Sequence, residues 1–156
     1  LRTRPTTELT VSHEDKQGNL YVIKFGLFPE KTIGIDIPLV DVSLTAILIN
    51  QKPSLSNLAG ICELVINYLQ ERDAILYFYY DRKDDISVRD RKITPQEYRS
   101  LLFNRLIDRY APTGFVKRNV QINDKSNDHF ITLITHEEYI QELDSLYAQI
   151  ESDLSK

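Results

Sequence analysis

Two periodicities take turns along this chain. Apolar and polar residues alternate, as in a half-buried strand, through Glu8–His13 (Leu9, Val11), and Leu20–Phe28 reads as a second strand. The stretch between them, Glu14-Asp15-Lys16-Gln17-Gly18-Asn19, reads as a turn in which Gly18 supplies a positive φ. The two segments therefore predict a hairpin. Pro29-Glu30-Lys31 interrupts the pattern, which resumes at Ile33, Ile35 and Ile37. Pro38 breaks it again or confines it to an edge, because proline has no N–H for a central ladder. Beyond Pro38 the parity shifts to Val40, Val42 and Leu44, and the run becomes nearly continuous through Ala46-Ile47-Leu48-Ile49. A third strand within Val40–Ile49 follows, closed by Asn50-Gln51-Lys52-Pro53.

The period then changes to that of a helix. Leu55, Leu58, Ala59, Cys62, Val65, Ile66 and Leu69 form one stripe, with Ser54 or Ser56 to cap it and an end near Arg72-Asp73. Gly60 inside this helix costs about 1 kcal/mol against alanine, which a close approach to a sheet would explain. Ile75–Tyr80 is the fourth strand. A helix between strands three and four predicts that they run parallel. Ile75, Tyr77 and Tyr79 on one face and Leu76, Phe78 and Tyr80 on the other predict a central strand covered on both sides.

Thr94-Pro95-Gln96-Glu97 is a capping box with proline at the first helical position. It opens a helix whose buried side is expected to carry Tyr98, Leu101, Leu102 and Leu106 with Phe103, Ile107 and Tyr110, stopped by Pro112 and Gly114. Phe115–Ile122 and Phe130–Thr135 predict a second hairpin. Thr135-His136-Glu137-Glu138 reads as another capping box, before a stripe of Tyr139, Leu143, Leu146, Tyr147, Ile150 and Leu154. The order β-β-β-α-β-α-β-β-α predicts a single α+β domain over residues 1–156, its mostly antiparallel sheet covered by helices, with Leu1–Thr7 a frayed start.

Composition narrows the function classes. At 156 residues the chain can bury a core without disulfides or metals. A net charge of -4 argues against attraction of the whole protein to nucleic acid or anionic membranes, while leaving a local patch open. No stretch has the length and apolarity of a membrane span, and Leu1–Thr7 does not resemble a signal peptide, so a cytoplasmic protein with no membrane partner is expected. The single cysteine, Cys62, can make no internal bridge and falls on an apolar helix face, where a small buried hydrophobe is expected.

Candidate chemistry concentrates after the fourth strand. Asp81, Asp84 and Asp85 follow its carboxyl end, and with Glu97 they form a hard oxygen set suited to Mg²⁺ or Mn²⁺. The plainer expectation is a solvated turn whose carboxylates pair with Arg82, Lys83 and Arg89. Arg89, Arg91, Arg99, Arg105 and Arg109, interleaved with Tyr98 and Tyr110, supply the cations and rings that a nucleic-acid surface needs. Asp84, Asp85, Asp90, Glu97 and Asp108 among them cancel much of that charge. His13, His129 and His136 are scattered without ligand spacing. Exposure of Tyr77 and Tyr79 would signal a protein interface.

The leading expectation is a non-enzymatic protein-binding or regulatory module, acting without a cofactor. Its surface is the 81–91 loop (Asp81, Asp85, Arg89, Arg91) and the adjoining helix face (Arg99, Arg105, Arg109). Nucleic-acid binding through the same arginines is the second expectation. A divalent-metal-dependent enzyme at Asp81, Asp84, Asp85 and Glu97 is the third. Homodimerisation through the C-terminal helix from Thr135 is a further expected contact.

One segment carries a family resemblance. Ile75-Leu76-Tyr77-Phe78-Tyr79-Tyr80-Asp81, then Asp85, Arg89, Arg91 and Phe103, is similar to a family of small uncharacterised proteins common in Bacteroidetes bacteria. The resemblance implies a bacterial cytosolic protein with an unassigned role. This sequence departs from it in carrying Thr94-Pro95-Gln96-Glu97 before the helix proper.

Overall fold

The computed structural model describes residues 1–29, 34–51, 55–80, 95–123 and 128–154. In chain order the elements are β1 (Leu9–Glu14), β2 (Leu20–Leu27), β3 (Leu39–Leu48), α1 (Leu55–Gln70), β4 (Ile75–Tyr79), α2 (Pro95–Tyr110), β5 (Phe115–Asn123), β6 (Asp128–His136) and α3 (Ile140–Leu154), with a 3-10 turn at Glu137–Tyr139. The strands form one sheet in the order β1-β2-β3-β4-β6-β5. Among the described strands only β3 and β4 pair in parallel, with Leu39 opposite Ile75 and Val42 opposite Phe78. This is the expected α+β domain, and the β3–α1–β4 crossover is the reason for its one parallel pair.

The two faces of β4 belong to two cores. Leu76 and Phe78 join Ile23 and Phe25 of β2, Val40 and Val42 of β3, and the inner sides of α1 and α2. Ile75 turns the other way, toward Ile131 and Leu133 of β6, Val120 of β5, and Leu143 and Leu146 of α3. Ile35 and Ile37 fill the remainder of this second core. They belong to no strand: the chain reaches β3 only after Pro38, whose carbonyl accepts the Ile75 N–H at 2.9 Å. The apolar stripe of α3, expected to offer a dimer contact, is spent on the protein's own sheet. The face of β1–β3 that α3 does not reach keeps Thr10, Ser12, Lys24, Asp41 and Thr45 exposed, which is why β1 and the first part of β3 alternate in sequence.

Local chemistry fixes the ends of the hairpin. Gly18 has φ 78°. Asp15 accepts the N–H groups of Gln17 and Asn19, both at 2.9 Å, and the Asn19 amide at 3.0 Å. The Asn19 side-chain oxygen Oδ1 in turn accepts the N–H groups of Asn50 at 2.8 Å and Gln51 at 3.1 Å. The β1–β2 turn thereby holds the far end of β3. Gly60 does mark a close approach, since a Cβ there would lie 3.2 Å from His13 Nε2 on β1.

Several expectations need correction. Ser56 lies inside α1 and does not cap it, while Ser54 and Thr94 lie outside the described residues. Leu101 and Tyr110 are exposed, because the buried side of α2 runs through Leu102, Phe103, Leu106 and Ile107. Thr135 caps no helix. It remains in β6, its hydroxyl donating to the Ala74 carbonyl at 2.7 Å, and α3 begins only after the 3-10 turn. Residues 1–7, expected to fray, are held at Arg2 and Thr3. Arg2 is ion-paired with Asp73 at 2.8 Å and with Glu138, and Thr3 exchanges backbone hydrogen bonds with Glu71 and Asp73. Burial alone would raise the Asp73 carboxyl, but hydrogen bonds from Arg2 and Tyr139 and the Arg2 charge outweigh it and hold the group below its usual range.

Leu76, fully buried in the first core, and Leu44, exposed on β3, make a decisive pair. Leu76→Ala should lower unfolding free energy by about 3 kcal/mol in urea titration, and Leu44→Ala by less than about 0.5 kcal/mol.

Candidate functional site

A cavity of about 370 Å³ lies between the sheet and helices α1 and α2, at the carboxyl ends of the parallel pair. Where neighbouring parallel strands are each followed by a helix, the chain leaves the sheet at that end, and a crevice opens beyond the strand termini. Here β3 contributes Val42, Leu44 and Ala46, and β4 contributes Phe78 and Tyr79 with the adjoining Tyr80. Each helix supplies four residues at i, i+3, i+4 and i+7. They are Leu58, Ile61, Cys62 and Val65 from α1, and Arg99, Leu102, Phe103 and Leu106 from α2. Arg99 thus occupies one position of an otherwise apolar stripe, and it is the one charged residue among the described residues of the lining. Arg99 Nη2 and Tyr21 Oη are both shielded from solvent.

A buried polar ladder sets the rotation of α2. The Tyr80 hydroxyl donates to Thr132 Oγ1 at 2.9 Å, and Thr132 donates to Asn119 Oδ1 at 2.7 Å. Asn119 donates to Asn104 Oδ1 at 3.0 Å, and the Asn104 amide donates to the Ser100 carbonyl at 2.7 Å and to Thr132 Oγ1 at 3.3 Å. Thr132 therefore uses its one donor and accepts two bonds, as a hydroxyl can. Lys117 of β5 adds an ion pair to Asp108 at 2.7 Å. With Asn104 and Asp108 fixed against β5 and β6, Arg99 lies along the cavity, and Leu101, Arg105 and Arg109 form an exposed i, i+4, i+8 ridge. The Arg109 guanidinium sits 5.4 Å from the centre of the Tyr110 ring.

The arginines expected to share one surface are thus divided: Arg105 and Arg109 are brought together, and Arg99 is turned away from them. Asp81, Asp84, Asp85, Arg89 and Arg91 lie outside the described residues. Glu97 is half-buried on the first turn of α2, and among the described residues no group of three or more His, Cys, Asp or Glu side chains could hold a metal ion. Tyr77 is half-buried and Tyr79 exposed, the latter with its hydroxyl 2.6 Å from His129 Nδ1. Tyr21, Leu58, Cys62, Phe103 and their neighbours were not marked by the sequence as a site, since five separate elements bring them together. The signal available was the matching helical spacing, with Arg99 out of character in its stripe. Comparison with protein-family models, curated proteins and solved structures finds no match to this chain.

Burial, reinforced by Glu63, pushes the Cys62 thiol up to about 11, so it is a protonated apolar wall at neutral pH. Its reaction with a soluble thiol reagent at pH 8 should be roughly a hundredfold slower in the folded than in the urea-unfolded chain, rising about tenfold per pH unit while the fold persists. Thr132→Val should cost about 2 kcal/mol in the same unfolding assay, by stranding the buried Tyr80 hydroxyl, and Thr132→Ser much less.

Proposed function

We propose that the protein is a non-enzymatic binding module that acts by contact with a partner protein, through the 81–91 loop, the outer ridge of α2 and the neighbouring end of β3. The supporting observation is a run of exposed apolar side chains at that end of β3. Leu44, Ile47, Leu48 and Ile49 are exposed by 47%, 56%, 51% and 42%. Large apolar groups adjacent on a surface are characteristic of interaction sites, whereas single ones are ordinary. The register supports the same reading. β4 pairs only with the first part of β3, so from Ser43 onward β3 has no strand on that side among the described residues. Leu44 and α2 line the same cavity, which makes the two surfaces neighbours.

A second reading, nucleic-acid binding, is favoured by the Arg105–Arg109 ridge with Tyr110 at its end. It rests on fewer cations than the sequence suggested, because Arg99 lies along the cavity and Arg89 and Arg91 lie outside the described residues.

The cellular setting we propose is bacterial cytosol. The resemblance of the Ile75–Phe103 segment and the free, buried Cys62 support it. No helix among the described residues is long and apolar enough to cross a membrane.

A photo-crosslinker placed at Ile47 or at Arg105 should capture the same partner in host cells. Changing Ile47 and Leu48 together to Asp should reduce that capture at least tenfold, with stability altered by no more than about 0.5 kcal/mol per site. Capture unaffected by the double change removes the proposal. Binding of a mixed DNA and RNA pool that falls steeply with salt, less steeply in Arg105→Gln and Arg109→Gln, would put the nucleic-acid reading first.

A further inference from the structure

The cavity beyond the ends of β3 and β4 is built differently from the exposed surface beside it. Its volume, about 370 Å³, falls in the range of small-molecule sites. At about 30 Å³ per molecule in the liquid, that is the room of roughly a dozen waters. Its walls are the two helical stripes and the sheet, and most groups on them are apolar, Leu58, Ile61, Val65, Phe78, Leu102 and Phe103 among them, with Tyr21, Ser43, Thr45 and Tyr79 adding hydroxyls. Cys62 adds a thiol that stays neutral, and the Tyr80 hydroxyl is already committed to Thr132. Against this background stands one fixed positive charge, Arg99, with no carboxylate among the described lining residues.

A guanidinium is charged at every physiological pH and carries five N–H donors in a planar fork matched to a carboxylate, so it can take a ligand anion in addition to a bond within the protein. An apolar wall around it lowers the local dielectric and strengthens its pull on an anion. The cavity thus joins a long apolar volume to one cationic point, which is the complement of an amphipathic monocarboxylate.

We propose that this cavity binds a small amphipathic carboxylate, of the size of a medium-chain fatty acid, with its apolar body between α1 and α2 and its carboxylate on Arg99. The site shares Leu44 with the protein-contact surface, but its test reads ligand binding and not partner capture, so the two stand or fall independently. Arg99 acts here as the residue that sets head-group specificity, and the two helical stripes set the length of chain accepted.

The probe is decanoate, compared with 1-decanol and decyltrimethylammonium on the full chain. Decanoate should bind with a Kd of ~1 mM or tighter. Decanol should bind about tenfold more weakly, and the cationic amphipath more weakly still. Methyl resonances of Leu58, Val65 and Leu102 should move on titration. Arg99→Gln should bring decanoate and decanol to equal affinity, Arg99→Lys should keep part of the preference, and Lys24→Gln, on the polar face of β2, should leave it unchanged. Equal binding of decanoate and decanol by the unmodified chain overturns the proposal. So does a titration that moves only Ile47 and Ile49 methyls, or one without saturation at millimolar decanoate. These outcomes do not depend on whether any Arg99 variant folds.

Discussion

Everything in this fold is tied to the double burial of β4. Ile75 and Leu76 are both fully buried, yet they point into different cores, so this short strand is a wall that the two cores share, as β6 is through Ile131 and Ile134. Such a strand must be sheltered by helices on both faces and paired on both edges, because every exposed backbone group or side chain would carry a desolvation or transfer cost. α1 and α2 meet that requirement on one face and α3 on the other, while β3 and β6 meet it at the edges. The parallel pairing with β3 follows from the crossover through α1. It also determines where the chain leaves the sheet, and hence where a crevice can form.

The crevice and the outer surface are two products of one orientation. The Tyr80–Thr132–Asn119–Asn104 ladder runs from the buried Tyr80 hydroxyl to the exposed Asn119 amide and is directional, properties that let a polar network choose one helix rotation among several that would bury comparable apolar area. α2 is apolar over much of its circumference, with Leu101, Leu102, Phe103, Leu106, Ile107 and Tyr110 spread around it. Hydrophobic burial alone specifies such a helix weakly. The ladder assigns Leu102 and Phe103 to the interior and leaves Leu101 and Tyr110 outside, and the division of the arginines follows from the same choice.

This accounts for what the sequence made legible and what it did not. The strands β1 and β3 were readable because one face of each is largely polar, so much of the period of two survives, and β2 was readable as an apolar run after a turn. β4 was readable as central from bulky residues on both parities. The burial of α2 was misjudged at Leu101 and Tyr110, because a helix apolar on most sides has no unique stripe and its rotation is set by side chains on β5 and β6. Thr135 looked like a cap because the residues after it have cap spacing. Its hydroxyl was already required by the Ala74 carbonyl, a partner 61 positions away that no local pattern reveals. The cavity is hidden for the same reason, being made where β2, β3, α1, β4 and α2 converge. Arg99 alone carried a local hint, as a charge within an apolar spacing.

The placement of β6 between β4 and β5 has a consequence for biosynthesis. Tyr80 and Thr132, partners across the β4–β6 seam, are 52 residues apart. A ribosome releases β1 through α1 and then β4 well before β6 exists, so the nascent sheet ends for a time in an open, strongly apolar edge. The gap is bridged only when β6 emerges after β5, and β6 must then slide in beside β4 while its own hairpin partner is already on its other side. The N-terminal half of the chain is thus a vulnerable intermediate during translation, and the late hairpin serves as its closing seal.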